Sequence, residues 1–307
     1  MRVLFISSGN LSKGRPSILI SNQGKSLVKQ GIEVEYYSIK GKGVLGYLNS
    51  IPSISKKIKK INPTIVHSHY SLSAFATTLA LFAYRLKFPH YVSLMGSDSK
   101  MKGWKRTLTR LLSRYTWYTT IVKAESMATD LNIYRYEIIP NGVDLSNLSP
   151  VKSTYSRIVL FPADPARESK NFSLAQEAFE RVKKILPSLK LEVCYGIPHE
   201  SMITKLQESA VVLITSLWEG SPNIVKEAMA LNKPIVCTRV GDTEWLLDAV
   251  EGAYLVDNDA NQIADKIKES FEFIDSSGLS NGRDKIICLN LDSVQIAKKL
   301  IRLYEEA

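Results

Sequence analysis

The chain has 307 residues, 45% of them hydrophobic, and carries a formal net charge of +10 at pH 7. The apolar content is ordinary for a globular α/β protein, and the length suits two domains. Its three cysteines, Cys194, Cys237 and Cys288, stand far apart within apolar runs, a pattern that argues for buried reduced thiols over disulfides or a zinc site.

The predicted elements alternate along the chain. In the first half, strand-like apolar runs fall near 2–7, 32–38, 64–68, 91–95, 119–123 and 136–139. Helical segments fall near 17–30, 51–60, 71–86, 101–115 and 124–130. The second half repeats the pattern, with strands near 157–161, 190–195, 211–215, 234–237 and 253–255. Its helices lie near 172–185, 201–207, 222–231, 243–248, 260–273 and 292–305. Such alternation predicts parallel sheets with crossover helices. The stretch from Pro140 through Pro150 is the expected linker. The apolar run at the N-terminus is too short for a signal peptide. Residues 71–86 are too short and too interrupted to span a membrane and are read as a buried helix. A cytoplasmic protein is expected.

Charge is unevenly distributed. Residues 1–150 hold 21 Lys and Arg against 7 Asp and Glu, whereas residues 151–307 hold 19 against 23. The first half is therefore expected to approach something anionic. No zinc-finger spacing, RNP-like motif or basic zipper points to nucleic acid. Residues 100–118 place Lys102, Lys105, Arg106, Arg110 and Arg114 at helical spacing. Trp104, Leu108, Leu111, Leu112 and Tyr115 share another face. A basic amphipathic helix with aromatics reads as a surface for anionic membrane, at the inner face of the cell membrane. The alternative is an ordinary helix packing its leucines on the sheet.

The most informative stretch runs from Val211 to Ala230. An apolar strand leads into Glu219-Gly-Ser-Pro-Asn-Ile-Val-Lys-Glu227. Ser221 suits a helix cap and Pro222 a first helical position. The N–H groups around Pro222, Asn223 and Ile224 would then face an anion off the strand end, as a diphosphate requires. Carboxylates at Glu219 and Glu227 flank that point and suit sugar hydroxyls. No Gly-x-Gly-x-x-Gly follows the first strand, which counts against a dinucleotide enzyme.

This stretch resembles the Glu-x7-Glu motif of the family-4 retaining glycosyltransferases. Other segments resemble the same family in the same order. They are residues 2–8, Val66-His67-Ser68-His69-Tyr70, Ser93-Leu-Met-Gly-Ser-Asp98, Ile139-Pro-Asn-Gly-Val-Asp144, the loop from Phe161 through Arg167, Lys170 and Asn171, and Pro234 through Gly241 to Glu244. The resemblance spans essentially the whole chain. It implies the GT-B fold: α/β, with two Rossmann-like doubly wound domains facing a central cleft. The expected divisions are an acceptor domain over 1–148, a nucleotide-sugar donor domain over 149–290, and a C-terminal helix over 291–307 that crosses back to the first domain.

By resemblance, the chain transfers a sugar with retention of configuration to a saccharide or lipid-linked acceptor in surface polysaccharide or glycoconjugate synthesis. The expected donor is a UDP-sugar, with GDP left open. The implied catalytic residues are Glu219, Asp98, Lys170 and Arg167. Lys170 stands at the family's diphosphate-binding lysine. Arg167 stands in for a guanidinium that the family places at the strand end, where this chain has Ala163-Asp164. The implied donor-binding residues are Glu227, Asn223, Ile224, Gly196, Pro222 and Gly14. Glu227 is expected at the ribose and Glu219 at the donor sugar. No Asp-x-Asp metal motif is read at a strand end, so metal-independent transfer without a cofactor is expected. Met95 stands where the family usually has His. His199 follows Gly196 and is read as a solvated loop residue. Two other readings stay open: a GT-B nucleotide-sugar epimerase, and a non-catalytic nucleotide-sugar-binding subunit motivated by Met95.

Overall fold

The computed structural model describes residues 1–10, 14–41, 43–98, 100–151 and 156–307. The chain divides into two compact units, one of Met1–Gly142 with Ser293–Ala307, the other of Val143–Asp292.

In the N-terminal unit the described residues form six strands and six helices before the chain leaves it. The strands are β1 (Arg2–Ser8), β2 (Glu33–Ile39), β3 (Ile65–His69), β4 (His90–Ser93), β5 (Thr119–Val122) and β6 (Glu137–Ile138). The helices are α1 (Ile18–Val28), α2 (Gly43–Leu48), α3 (Ile51–Ile61), α4 (Ser71–Ala83), α5 (Trp104–Tyr115) and α6 (Glu125–Leu131). The sheet order is β2-β1-β3-β4-β5-β6, and every pairing is parallel. A parallel sheet is covered on both faces, so its central strands are apolar without alternation. Val3, Leu4, Phe5 and Ile6 of β1 are accordingly all buried.

Local signals explain the helices. In α3, Ile54, Ile58 and Ile61 are buried at spacings of four and three residues, and Pro52 lies at its start. That spacing forms one apolar stripe. Asn62, in the left-handed region at φ 45°, ends the helix as a C-terminal cap commonly does. The apolar segment read at 71–86 forms α4, whose residues from Ser71 to Thr78 are all buried. Helix α5 corrects the expected division of faces. Leu108 and Leu112 pack toward the core, with Thr109 and Ser113 buried beside them. Trp104, Leu111 and Tyr115 stay exposed.

The C-terminal unit holds, among the described residues, five strands: β7 (Ile158–Phe161), β8 (Lys190–Val193), β9 (Val211–Ile214), β10 (Ile235–Thr238) and β11 (Ala253–Val256). Its helices are α7 (Phe172–Ile185), α8 (His199–Glu208), α9 (Asn223–Ala230), α10 (Thr243–Leu247), α11 (Ala260–Ser276) and α12 (Gly282–Cys288). The order is β11-β10-β9-β7-β8, again wholly parallel. The order reverses between β7 and β9, and ligands of doubly wound sheets bind off the C-terminal strand ends at such a reversal. The core on one face joins Ala175, Phe179 and Val182 of α7 to Ile263, Ile267 and Phe271 of α11.

After α12 the chain enters α13 (Ser293–Glu305), which belongs to the N-terminal unit. The Tyr304 hydroxyl lies 2.5 Å from His67 Nδ1, Tyr91 donates to the Leu303 carbonyl at 2.8 Å, and Lys299 donates to the Ile138 carbonyl at 2.7 Å.

Two helices were not predicted, α2 and α12. Both contain glycine at or near the start, which a propensity reading counts against a helix. Gly282 is there for packing: a Cβ on it would sit 2.8 Å from the Met229 Cα of α9. The thiols of Cys194 and Cys237 are buried as expected, but Cys288 at the end of α12 is exposed. Among the described residues no helix is long and apolar enough to cross a membrane.

Candidate donor site

The site lies at the reversal point of the C-terminal sheet. The loop after β7 carries Arg167, Lys170 and Asn171, and the loop after β9 carries Ser216 through Pro222. Hydroxyls at the strand ends stitch these loops together. Thr215 Oγ1 donates to the carbonyls of Lys170 and Asn171, both at 3.0 Å. The Leu217 N–H donates to the Ser169 carbonyl at 2.9 Å, and Thr238 Oγ1 to the Ser216 carbonyl at 2.7 Å.

This stitching brings Lys170 and Glu219 together as an ion pair. Ser216 Oγ donates to the same Glu219 oxygen at 3.0 Å. The two side chains are only 16% and 19% exposed. Arg167 lies at the start of the one-turn 3-10 helix Glu168–Lys170 and is exposed. The Lys170 N–H donates back to the Arg167 carbonyl at 2.9 Å, which holds the two cations on one turn.

Helix α9 starts at Asn223 with Pro222 in extended backbone before it, and no side chain caps it. Asn223 and Ile224 are partly exposed, and the first N–H groups of a helix have no acceptor inside it. Ser221 therefore does not act as the predicted cap; its Oγ accepts from Lys226 Nζ at 3.0 Å. On the next turn of α9, Glu227 Oε1 lies 2.8 Å from His199 Nε2. This overturns the reading of His199 as a solvated loop residue. The bond to Glu227 raises the His199 pKa above its ordinary value, against partial burial. Gly196, three residues before His199, is exposed at the end of the segment after β8.

The turn after β10 closes against the same segment. The Asp242 N–H donates to the Gly220 carbonyl at 3.2 Å. Gly241 has φ 59°, and a Cβ there would lie 2.1 Å from that carbonyl oxygen. Only glycine permits both the left-handed backbone and the close approach.

Two predicted site residues belong to the N-terminal unit. Gly14 donates from its N–H to the Gly9 carbonyl at 2.9 Å, and residues 11–13 between them lie outside the described residues. Asp98 is fully buried. Its Oδ1 accepts from Ser71 Oγ at 2.8 Å and Ser71 N–H at 3.3 Å, and its Oδ2 from Met95 N–H at 2.7 Å. Burial pushes its carboxyl up to about 6 against those bonds. These bonds hold the Met95 loop to the start of α4. His67 and His69 are buried and stacked, with ring centroids 4.4 Å apart. Burial takes His69 down to about 3, so it is neutral at physiological pH.

The expectation of no Asp-x-Asp at a strand end is corrected by Asp257-Asn258-Asp259, which directly follows β11. Asp259 caps α11, accepting from Asn261 N–H at 2.7 Å, and Asp257 lies 3.6 Å from Arg239. Among the described residues no group of three or more His, Cys, Asp or Glu side chains is arranged to hold a metal ion.

A family model described as Glycosyltransferase Family 4 matches residues 29–147, and one described as Glycosyl transferases group 1 matches residues 180–272. The chain belongs to the group 1, family 4 glycosyltransferases. Its fold is that of the GT-B members of this family. Sucrose-phosphate synthase from Thermosynechococcus elongatus superposes with a TM-score of 0.81 at 15% identity, covering 99% of this chain and 98% of that one. HepE from Anabaena, in complex with UDP, superposes with a TM-score of 0.75 at 14% identity over the whole of both chains. In sequence, the chain is 21% identical over 243 residues to a Bacillus subtilis (strain 168) protein named as the teichuronic acid biosynthesis glycosyltransferase TuaC. The match covers 69% of this chain and 62% of TuaC, so the chain spans under two thirds of that relative.

The sequence does not reveal the contacts of His199, Lys226 and Asp242 in this family member. A loop His, a helical Lys and a turn Asp are common surface residues, and nothing in their spacing sets them apart.

Proposed function

We propose that the chain transfers a glycosyl group, with retention and without a metal, from a nucleoside-diphosphate sugar to a saccharide or lipid-linked saccharide. UDP is the nucleotide we assign. The observation that carries this reading is the convergence of Lys170, Glu219, the start of α9 and Glu227 at the reversal point of one parallel sheet. Ligands of doubly wound sheets bind at such points.

The chemistry follows from the charges. The bond from the anomeric carbon to the diphosphate oxygen breaks, and negative charge gathers on the leaving diphosphate. Lys170 leaves Glu219 to meet that charge, Arg167 offers a bidentate guanidinium, and the first N–H groups of α9 add fixed dipoles. Glu219, once released, accepts from hydroxyls of the donor sugar. Glu227 accepts from the ribose. The acceptor hydroxyl attacks from the face the diphosphate leaves, and a phosphate oxygen takes its proton. Asp98 acts at one remove, by holding the Met95 loop.

The acceptor reading rests on the N-terminal unit. Exposed Trp104, Leu111 and Tyr115 on α5 stand among Lys102, Lys105, Arg106, Arg110 and Arg114. Exposed aromatics within a basic helix suit an anionic lipid surface, where a lipid-linked acceptor would reside. The test of the reaction is release of UDP from a panel of UDP-hexoses and UDP-N-acetylhexosamines in the presence of a crude lipid-linked saccharide fraction. Release that Lys170→Ala abolishes supports the reading. No release from any UDP- or GDP-sugar by the wild-type chain would sink it.

A further inference from the structure

Lys226 lies one turn inside α9 and is fully buried, a rare state for a lysine. Its ammonium donates to Ser221 Oγ at 3.0 Å. Near both stands Asp242, whose two carboxylate oxygens are shut off from solvent and meet no donor in full hydrogen-bond geometry. Burial raises the Asp242 carboxyl to about 6, and Ser221 and Lys226 pull it back down. Burial lowers Lys226 to about 8, against the attraction of Asp242 and then Glu227.

The three residues come from three segments: the turn after Glu219, helix α9 and the turn after β10. The first and third of these also meet backbone to backbone, at Gly220 and Gly241. The other inward residues of α9 are apolar, namely Val225, Ala228, Met229 and Ala230, all fully buried. Burying charged groups is costly beside burying apolar side chains of equal volume. A charge kept here, beneath the helix start, calls for a reason other than stability.

We propose that Lys226 is a positioning residue of the donor site. Through Ser221, and balanced by Asp242, its buried ammonium fixes the Gly220–Pro222 turn so that the N–H groups of Asn223 and Ile224 face the donor diphosphate. This rests on the donor reading above. The role concerns the phosphates and not the nucleoside, because Lys226 acts on the turn that would face them.

The test compares UDP with uridine on the full chain, by calorimetry and ligand-observed NMR, with GDP and guanosine in parallel. The variants are Lys226→Met, Asp242→Asn, the double Lys226→Met/Asp242→Asn, and Ser221→Ala. Each single charge variant leaves the other charge buried and uncompensated, so both melt early. The double variant removes both charges and recovers the wild-type melting temperature. In it, UDP binding is expected to fall at least tenfold while uridine binding stays within twofold. Ser221→Ala, which changes no charge, is expected to weaken UDP about fivefold and leave uridine alone. Wild-type UDP affinity in the double variant or in Ser221→Ala overturns the proposal, as does an equal loss for UDP and uridine. Failure of the donor reading is a separate result, in which the wild-type chain binds neither UDP nor GDP.

Discussion

His199 Nε2 lies 2.8 Å from Glu227 Oε1, joining the start of α8 to the second turn of α9. The bond raises the His199 pKa, the contribution that outweighs its partial burial. A group held at a raised pKa stabilises the fold fully below its unfolded value, about 6.5 for histidine, and loses that contribution as pH rises through the folded value. The melting temperature of wild type should exceed that of His199→Gln most at pH 6 and by less at pH 8.5. A gap that widens with rising pH would contradict the pairing.

The contact between Gly220 and Gly241 leaves no room for a methyl group. Gly241→Ala forces a Cβ to 2.1 Å from the Gly220 carbonyl oxygen at φ 59°. The left-handed backbone alone costs roughly 1–2 kcal/mol outside glycine, and overpacking adds roughly 1–3 kcal/mol. Urea unfolding should show a loss of that combined order, and donor binding should weaken with it, because the displaced turn leads into α9. Unchanged stability would place the two turns farther apart than they are here.

Asp98 is read as a brace for the Met95 loop. Asp98→Ala leaves the N–H groups of Ser71 and Met95 without their acceptor, and each orphaned buried donor costs about 1–3 kcal/mol. The expected result is a chain destabilised by roughly 2–6 kcal/mol, on the same principle, with UDP affinity kept because the residue lies in the N-terminal unit. Loss of UDP affinity without loss of stability would return Asp98 to a direct role.

Helix α5 offers a test of membrane contact. Vesicles containing anionic lipid should float the wild-type chain, and Lys102→Glu/Lys105→Glu/Arg106→Glu should abolish the flotation. High salt should weaken it as screening shortens the reach of the charges. Equal recovery with neutral and anionic vesicles would remove the membrane from the account.

Much of the fold was legible because parallel strands buried on both faces read as unbroken apolar runs, as Val3–Ile6 and Val211–Ile214 do. Helices α2 and α12 were hidden by their glycines. Of the candidate site, the motif spacing sets Glu219 before the start of α9 and Glu227 within it, and the loop stitching brings Lys170 to Glu219. The site was illegible where a contact depends on a partner not marked by the motif. Ser221 looked like a cap because it precedes a helix, and only the fold reveals Lys226 beneath it. His199 looked solvated because Glu227 lies 28 residues away. Asp257-Asn258-Asp259 shows the reverse case, a metal-like spacing explained by one helix cap and a neighbouring arginine.

The most direct test of the central claim is titration of UDP into the wild-type chain, Lys170→Ala and Glu227→Ala, read as stabilisation against heat. A ligand at a hundred times its dissociation constant stabilises the native state by about 2.7 kcal/mol. The account predicts a clear rise with UDP for the wild-type chain and its loss in both variants, with all three folded in the absence of ligand. A rise that survives in both variants, or no rise in the wild-type chain, would contradict it.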